Sequence, residues 1–552
     1  MDTGPILYRQ AVLAESWRLA SLVDRDPFSR TRGSLSRTHW SWKFEDFPFP
    51  RLQEGLYALA HLYDLPGEDN VFHQRQDVSR WIEWGLDYWA SQQHANGAFD
   101  EAYPFEQCLA ATAFTSFYVG QAFVRHREHL PAALESRVLD ALGRAGNWLV
   151  DNDETHGILS NHLAVAVAAL ELISRTAGDK RHAERAREFL QRILAHQSDE
   201  GWMKEYDGAD IGYGTHGFFY LASYWQMTGC EETLAALRRF AQFLSYFVHP
   251  DGTIGGEYSS RNTEFYYPAG FEMLAGECPA SAGIAMRMRQ SIAERRVCGV
   301  WAMDLFNFMP MLNNLLFAMD ASKEELPAEP VACERAPFSK YFSECGLWVI
   351  NRERHYVVVG LSKGGTVSLF DKQQQRLAAR HAGLVAIDGK RHFTSQDYTL
   401  APAVEWSDGQ QTATLTVPWR SMDQTLFSPL LFVGFRLFNM TIGRIPAASR
   451  ALKRLLVRVL IRRRRRPTIT HTRTLRVDAD TVRIEDDITV PSSVDSLVVA
   501  AQFASIHMGS SLYADIRAVE NSTSTTTFAC RDRIRLTATL GPAGAQWRMD
   551  TD

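Results

Sequence analysis

The chain has 552 residues and a mass of 62.5 kDa, more than one hydrophobic core fills, so two domains are expected. Hydrophobic residues make up 45% and charged residues 22%, which excludes wholesale disorder. The net charge of −5 excludes nucleic acid as a partner for the molecule as a whole. Aromatic residues reach 11%, a surplus suited to stacking on a flat ligand. Seven scattered cysteines without a CxxC pair exclude a zinc ribbon and argue against a disulfide framework. No run of about 18 uncharged apolar residues exists. The N-terminal segment MDTGPILYRQAVLAESWRLASLVDRD lacks a signal-peptide core, so a cytoplasmic protein, at most peripheral to a membrane, is expected.

Residues 1–330 read as helical. Apolar residues recur at steps of three and four in LQEGLYALAHLYDL (52–65), RWIEWGLDYWASQ (80–92), LAVAVAALELISRTAG (163–178) and HAERAREFLQRILAHQ (182–197). Loops of one kind separate them: NGAFDEAYPFEQ (96–107), ETHGILSNH (154–162), EGWMKEYDGADIGYGTHG (200–217) and DGTIGGEYSSRNTEFYYPAG (251–270). Their glycines Gly97, Gly157, Gly201 and Gly252 are 60, 44 and 51 residues apart, about the length of a helix pair with its turns. Stacked helical hairpins, each presenting a polar-aromatic loop at the same end, close into an (α/α) toroid or remain an open solenoid. The shared Glu-Tyr and Asp-Gly chemistry of the loops points to closure.

After KEELPAEPVACERAP (323–337) the period changes to two. YFSECGLWVINRERHYVVVGLSK (341–363), TATLTVPW (412–419), HTRTLRVDADTVRIEDDITV (471–490) and SLVVAAQFASIHMG (496–509) are β-rich runs broken by turns. An antiparallel β-sandwich is expected over 331–552. The stretch 430–467 interrupts it with aliphatic and basic residues. Arg436 to Arg466 carries 11 Lys/Arg and no Asp or Glu, leaving about −16 for the rest of the chain. Residues 448–466 fit an amphipathic helix running into five arginines, suited to an anionic membrane surface, a polyanion or solvent alone.

HExxH, GxSxG, Walker and dinucleotide motifs are all missing, so chemistry is sought in the loops. Ser160 or Asn161 can cap a helix whose first N–H groups favour an anion, with His162 beside them. Tyr213 sits among glycines that let the chain approach a ligand, and His216 is a second proton carrier or a positive charge near the phenol. Arg261 and Asn262 are donors for a carboxylate, with Glu257 and Glu264 to orient the arginine and Tyr258, Tyr266 and Tyr267 as stacking platforms. Asp100, Glu101, Tyr103 and Glu106 line the first loop, whose carboxylates are suited to sugar hydroxyls, as is that of Glu205.

Together these loops resemble the heparinase II/III-like superfamily of polysaccharide lyases, chiefly in SNH at 160–162, the Glu-Tyr…Gly-Tyr loop at 205–213 and HYVVVGLSKGG at 355–365. The resemblance implies an (α/α) toroid followed by a β-sandwich, and an acidic polysaccharide or oligosaccharide as substrate. It also implies β-elimination at a uronic acid, with Asn161 and His162 beside the carboxylate and Tyr213 moving the proton. That chemistry calls for no metal or organic cofactor. The spacing of Asp371, His381 and His392 defines no metal site. A glycoside hydrolase, with two carboxylates about 5–5.5 or 6.5–9.5 Å apart drawn from Asp100, Glu106, Glu205 and Asp210, is an alternative. So are a uronyl C5-epimerase and a non-catalytic glycan-binding protein.

Overall fold

The computed structural model describes residues 4–43, 45–154, 159–205, 208–400, 402–422, 428–456, 466–499, 526–530 and 532–550. The helical region runs through α1 (Gly4–Leu22), α2 (Gly55–Asp64), α3 (Gln76–Gln92), α4 (Leu109–His126), α5 (Ala132–Asp151) and α6 (Ser160–Ala177). It continues with α7 (Lys180–Leu194), α8 (Ile211–Thr228), α9 (Glu231–Leu244), α10 (Ala269–Leu274), α11 (Pro279–Ala293) and α12 (Leu305–Ala321). The even-numbered helices pack each against the next, and α12 packs back on α2, so the ring closes; the odd-numbered helices lie outside it. The result is an (α/α) toroid, not an open solenoid. The sequence explains which helix lies where. In α6 every residue from Leu163 to Ile173 is buried, as an inner helix touched on all sides requires. In α7, KRHAERAREFLQRIL, only His182, Ala186, Phe189, Leu190 and Ile193 are buried, the single apolar stripe of an outer helix.

Each loop from an outer to an inner helix opens at the same mouth. Between α7 and α8 it carries a short hairpin, β1 (Lys204–Glu205) paired with β2 (Gly208–Ala209). Its turn, with Tyr206 of the Glu-Tyr motif, lies outside the described residues.

The passage from helix to strand falls between Ala321 and Phe338. The first sheet holds β3 (Phe338–Phe342), β4 (Leu347–Asn351), β5 (His355–Gly360), β6 (Thr366–Asp371) and β7 (Arg376–His381), all antiparallel. It is buried on both faces: Leu347, Val349, Tyr356 and Val358 join the toroid core, while Trp348, Ile350, Val357 and Val359 face the sandwich interior. That is why LWVI and YVVV read as continuous apolar runs rather than alternating ones. The next strands are β8 (Leu384–Asp388), β9 (Arg391–Thr394), β10 (Val404–Ser407), β11 (Thr412–Thr416) and β12 (Arg420–Ser421). Two helices follow, α13 (Pro429–Met440) and α14 (Pro446–Leu456). The chain then resumes as β13 (Thr470–Val477), β14 (Val482–Thr489), β15 (Ser496–Val499), β16 (Thr526–Ala529), β17 (Arg533–Gly541) and β18 (Gly544–Asp550). Sheet order is β10-β11-β13-β14-β17-β18 in the second sheet and β12-β9-β8-β15-β16 in the third. Of the strand expected over 496–509 and of the arginine run, residues 500–509 and Arg462–Arg465 lie outside the described residues.

Asp371 accepts the backbone N–H groups of Gln373 and Gln374, His381 is buried beside Trp547, and His392 is exposed. Among the described residues no group of three or more His, Cys, Asp or Glu gathers to hold a metal.

Candidate active site

Asp210 organises the mouth. As the N-cap of α8 it accepts the backbone N–H of Tyr213 at 3.0 Å through Oδ1, which also bonds the Thr263 hydroxyl. Its Oδ2 accepts the Ser259 hydroxyl and the Arg261 backbone N–H, each at 2.9 Å. One buried carboxylate thus fixes the first turn of α8 against the loop 255–265. Glycines make the approach possible: a Cβ on Gly212 would sit 2.4 Å from Thr263 Oγ1, and one on Gly208 would sit 1.9 Å from the Tyr398 hydroxyl of the sandwich.

The consequence is a line of contacts across three loops. The guanidinium carbon of Arg261 lies 3.7 Å from the centroid of the Tyr213 ring, a cation–π distance. Arg261 Nη1 is 3.9 Å from Glu205 Oε2. Glu205 in turn accepts the backbone N–H of Asn161 at 2.7 Å and its side-chain amide at 2.8 Å. The acceptor at the start of α6 is therefore the chain's own carboxyl. Ser160 is the first helical residue, and its hydroxyl donates to the Lys204 carbonyl at 2.6 Å instead of capping. Burial pushes the Glu205 carboxyl up to about 8, against the pull of Arg261 and the Asn161 hydrogen bonds. Tyr213 is half-buried, whereas Tyr220, Tyr224, Tyr258, Tyr266 and Tyr267 are buried, so among the described tyrosines of these two loops its ring is the least enclosed.

His162, the neighbour of Asn161, is half-buried, and its Nδ1 lies 2.9 Å from Glu154. Its ring meets Phe114 edge-on at 6.0 Å, and the Arg51 guanidinium lies over the same Phe114 at 4.1 Å. Arg51 also pairs with Glu54 at 2.7 Å and Glu101 at 3.2 Å. Burial would raise the Glu101 carboxyl, but Arg51 and then His162 hold it below its ordinary value. Arg51 adds a cation that sequence reading missed. Its loop, FPFPRLQEG, carries no glycine-aromatic signature; the one signal was a lone arginine just before an inner helix.

Several expected roles are corrected. His216 is buried, stacked between Phe114 and Tyr267, with Nε2 at 2.8 Å from the Tyr220 hydroxyl. Burial, then repulsion from Arg51 and His162, holds it well below its ordinary value, so it supplies no positive charge to the phenol. Tyr258 is no stacking platform: its hydroxyl meets His249 Nε2 at 2.9 Å, and Gly360 of the sandwich closes over it. Glu257 and Glu264 pair with Arg380 of β7, while Arg261 lies beside Glu205. Glu106 accepts the backbone N–H of Ala102 at 2.7 Å and pairs with Lys453 of α14 at 3.2 Å, so its carboxylate is spent within the protein. Asn262 is buried beside Arg261 with a positive φ of 61°, a left-handed turn that Asn tolerates. A cavity of about 460 Å³ lies at the opposite mouth; there Arg125 and Asp320 pair with one another.

Residues 45–280 match the family model of the ulvan lyase N-terminal domain. Among solved structures, the chain is similar to a Streptomyces coelicolor A3 chondroitin AC lyase in complex with chondroitin sulphate: 11% identity, TM-score 0.56, covering 89% of this chain and 68% of that one. A Paenibacillus xanthan lyase gives 12% identity and a TM-score of 0.52 over 89% of this chain. A heparinase III gives 10% and 0.51, covering 98% of this chain and 81% of that one. The chain spans 46% of the xanthan lyase's length. No curated protein sequence matches it. The likeness is one of fold: a helical toroid followed by antiparallel β-sheets, as in these solved lyases.

Proposed function

We propose that this protein is a polysaccharide lyase that cleaves a uronic-acid-containing glycan by β-elimination. The observation that carries the reading is the half-buried Tyr213 phenol under the Arg261 guanidinium, tied through Glu205 to Asn161. The C5 hydrogen of a uronate becomes acidic when the adjacent carboxylate is neutralised. Arg261, the free second hydrogen of the Asn161 amide, and His162 supply that neutralisation and stabilise the charge developing in the transition state. A phenol titrates near 10 in water, and a guanidinium against its face favours the phenolate. Tyr213 takes the C5 proton, the C4–O bond breaks as the C4–C5 double bond forms, and the same phenol returns the proton to the departing oxygen. The narrower heparinase II/III-like assignment rests on SNH at 160–162, in a fold shared with xanthan and chondroitin lyases.

The hydrolase alternative loses its tools. Asp100 accepts the N–H groups of Phe105 and Gln107, and Glu106, Glu205 and Asp210 are committed as described above. The test is a panel of uronate-bearing polysaccharides followed by ultraviolet absorbance. Elimination leaves a conjugated double bond in the product, whereas chain scission without absorbance would identify hydrolysis. Solvent deuterium at C5 without scission would identify epimerisation.

A further inference from the structure

The two helices inserted between β12 and β13 meet different surroundings on their two sides. Toward the toroid, Arg436 of α13 pairs with Asp46 at 2.7 Å, and Phe435 meets the Tyr103 ring at 5.0 Å. From α14, Ser449 donates to the Phe105 carbonyl at 3.1 Å, and Lys453 reaches Glu106. The other side is bare. Leu430, Val433, Leu437 and Met440 follow at steps of three, four and three, which makes one stripe along α13, and they are 86%, 54%, 60% and 57% exposed. Ile442 and Ile445 extend apolar surface through the connecting turn at 55% and 57% exposure. Every charged residue from Arg436 to Arg466 is basic, in a chain whose net charge is −5.

We propose that the outer face of α13 and the turn after it is a membrane-docking surface, with the stripe lying in the interface of an anionic bilayer. The inference stands independently of the lyase reading. Apolar stripe and uniform positive charge together select the occupant. A soluble polyanion uses the cations but leaves the stripe in water, and a second copy of the chain sets basic segment against basic segment. Only a surface with anionic headgroups over an apolar layer uses both. With 12 residues, α13 falls short of the roughly 20 needed to span, and among the described residues no helix is long and apolar enough to cross a membrane. It lies in the plane of the interface. Because the inner side of the hairpin holds the loop of Tyr103, Phe105 and Glu106, docking sets the toroid mouth beside the bilayer.

The full-length protein is sedimented with vesicles of phosphatidylcholine alone and of phosphatidylcholine mixed with phosphatidylglycerol, beside the combined Leu430→Ser, Val433→Ser, Leu437→Ser and Met440→Ser variant. The wild type is expected to pellet with the anionic vesicles, less so as salt is raised, and the variant to lose about tenfold or more in partitioning. An unchanged melting temperature in the variant is the control; should it unfold, Leu430→Ser with Leu437→Ser carries the same comparison. A wild type that ignores both vesicles, or a variant that pellets equally, overturns the proposal. So does a wild-type dimer in light scattering that the four substitutions disperse, which assigns the stripe to a second copy. Wild-type binding to a soluble acidic polysaccharide in place of vesicles assigns the segment to glycan.

Discussion

Two helices of similar apolar character meet opposite fates in this molecule. Inner helix α6 has no exposed apolar residue from Leu163 to Ile173, because α4, α5, α7 and α8 surround it. Helix α13, PLLFVGFRLFNM, buries only Asn439 outright and leaves a row of leucine, valine and methionine in water. Apolar content shows that a helix needs a partner, and chain topology decides whether that partner is internal. For α6 the ring supplies it. For α13 nothing in the described chain does, and the segment adds only positive charge. Polar groups divide less cleanly: Asp210 and Glu205 are enclosed and fully used, and of the hairpin's cations Arg436 and Lys453 pair with Asp46 and Glu106 while Arg444 and Arg454 are exposed.

The largest effect expected inside the enclosed region is on turnover. Tyr213→Phe removes one oxygen from a half-buried ring and should lower kcat by about 10²–10⁴-fold, the usual contribution of a positioned proton-transfer group. The melting temperature should hardly move. Steady-state kinetics beside a thermal melt decide it, and a variant retaining wild-type kcat removes Tyr213 from the reaction. A smaller effect sharpens the contrast between the two helices. Leu170→Ala in α6 empties a fully buried site and should cost about 2–5 kcal/mol of stability. Leu437→Ala in α13, at 60% exposure, should stay within about 0.5 kcal/mol. Denaturant unfolding measures both, and equal losses would show that α13 packs inward in solution.

The toroid was legible because its evidence is local and repeated: helical periods, glycine stops, and a loop of one kind at regular spacing. Closure needed only that α12 reach α2. The sandwich was legible from its turns, although the first sheet hid its alternation by being buried on both faces. The candidate site was legible in its residue types and less so in their uses. Tyr213, Arg261 and Asn161 do come together. Which carboxylate serves which arginine was hidden, because Glu257 and Glu264 sit close to Arg261 in sequence while Arg380 reaches them from a strand over a hundred residues away. Asp210 read as a candidate acid, and its use as a cap joining two loops depends on a fold that brings Thr263 under α8. Arg51 lay in a loop without the shared signature. In the hairpin, basic charge and an amphipathic period pointed to 448–466, while the exposed stripe lies earlier, on α13, and could be seen only once the inward face was known.

Enclosure acts on a charge as well as on a methyl group, and Glu205 is where the molecule offers that test. Its carboxyl titrates near 8 in the folded chain against an ordinary 4.5, so the folded state prefers the protonated form. Stability from this group is therefore complete below about pH 4.5 and is lost as pH rises toward 8, because the unfolded chain releases the proton first. Glu205→Gln keeps a neutral side chain of the same shape with an oxygen for Asn161, and it cannot titrate. Between pH 5 and 8 the wild type should lose stability relative to the variant with a slope of at most about 1.4 kcal/mol per pH unit, one proton's worth. Unfolding free energies measured at several pH values give both lines. Parallel lines would mean that Arg261 and Asn161 hold the carboxylate ionised throughout, and that the ring's interior tolerates a charge there as readily as water does.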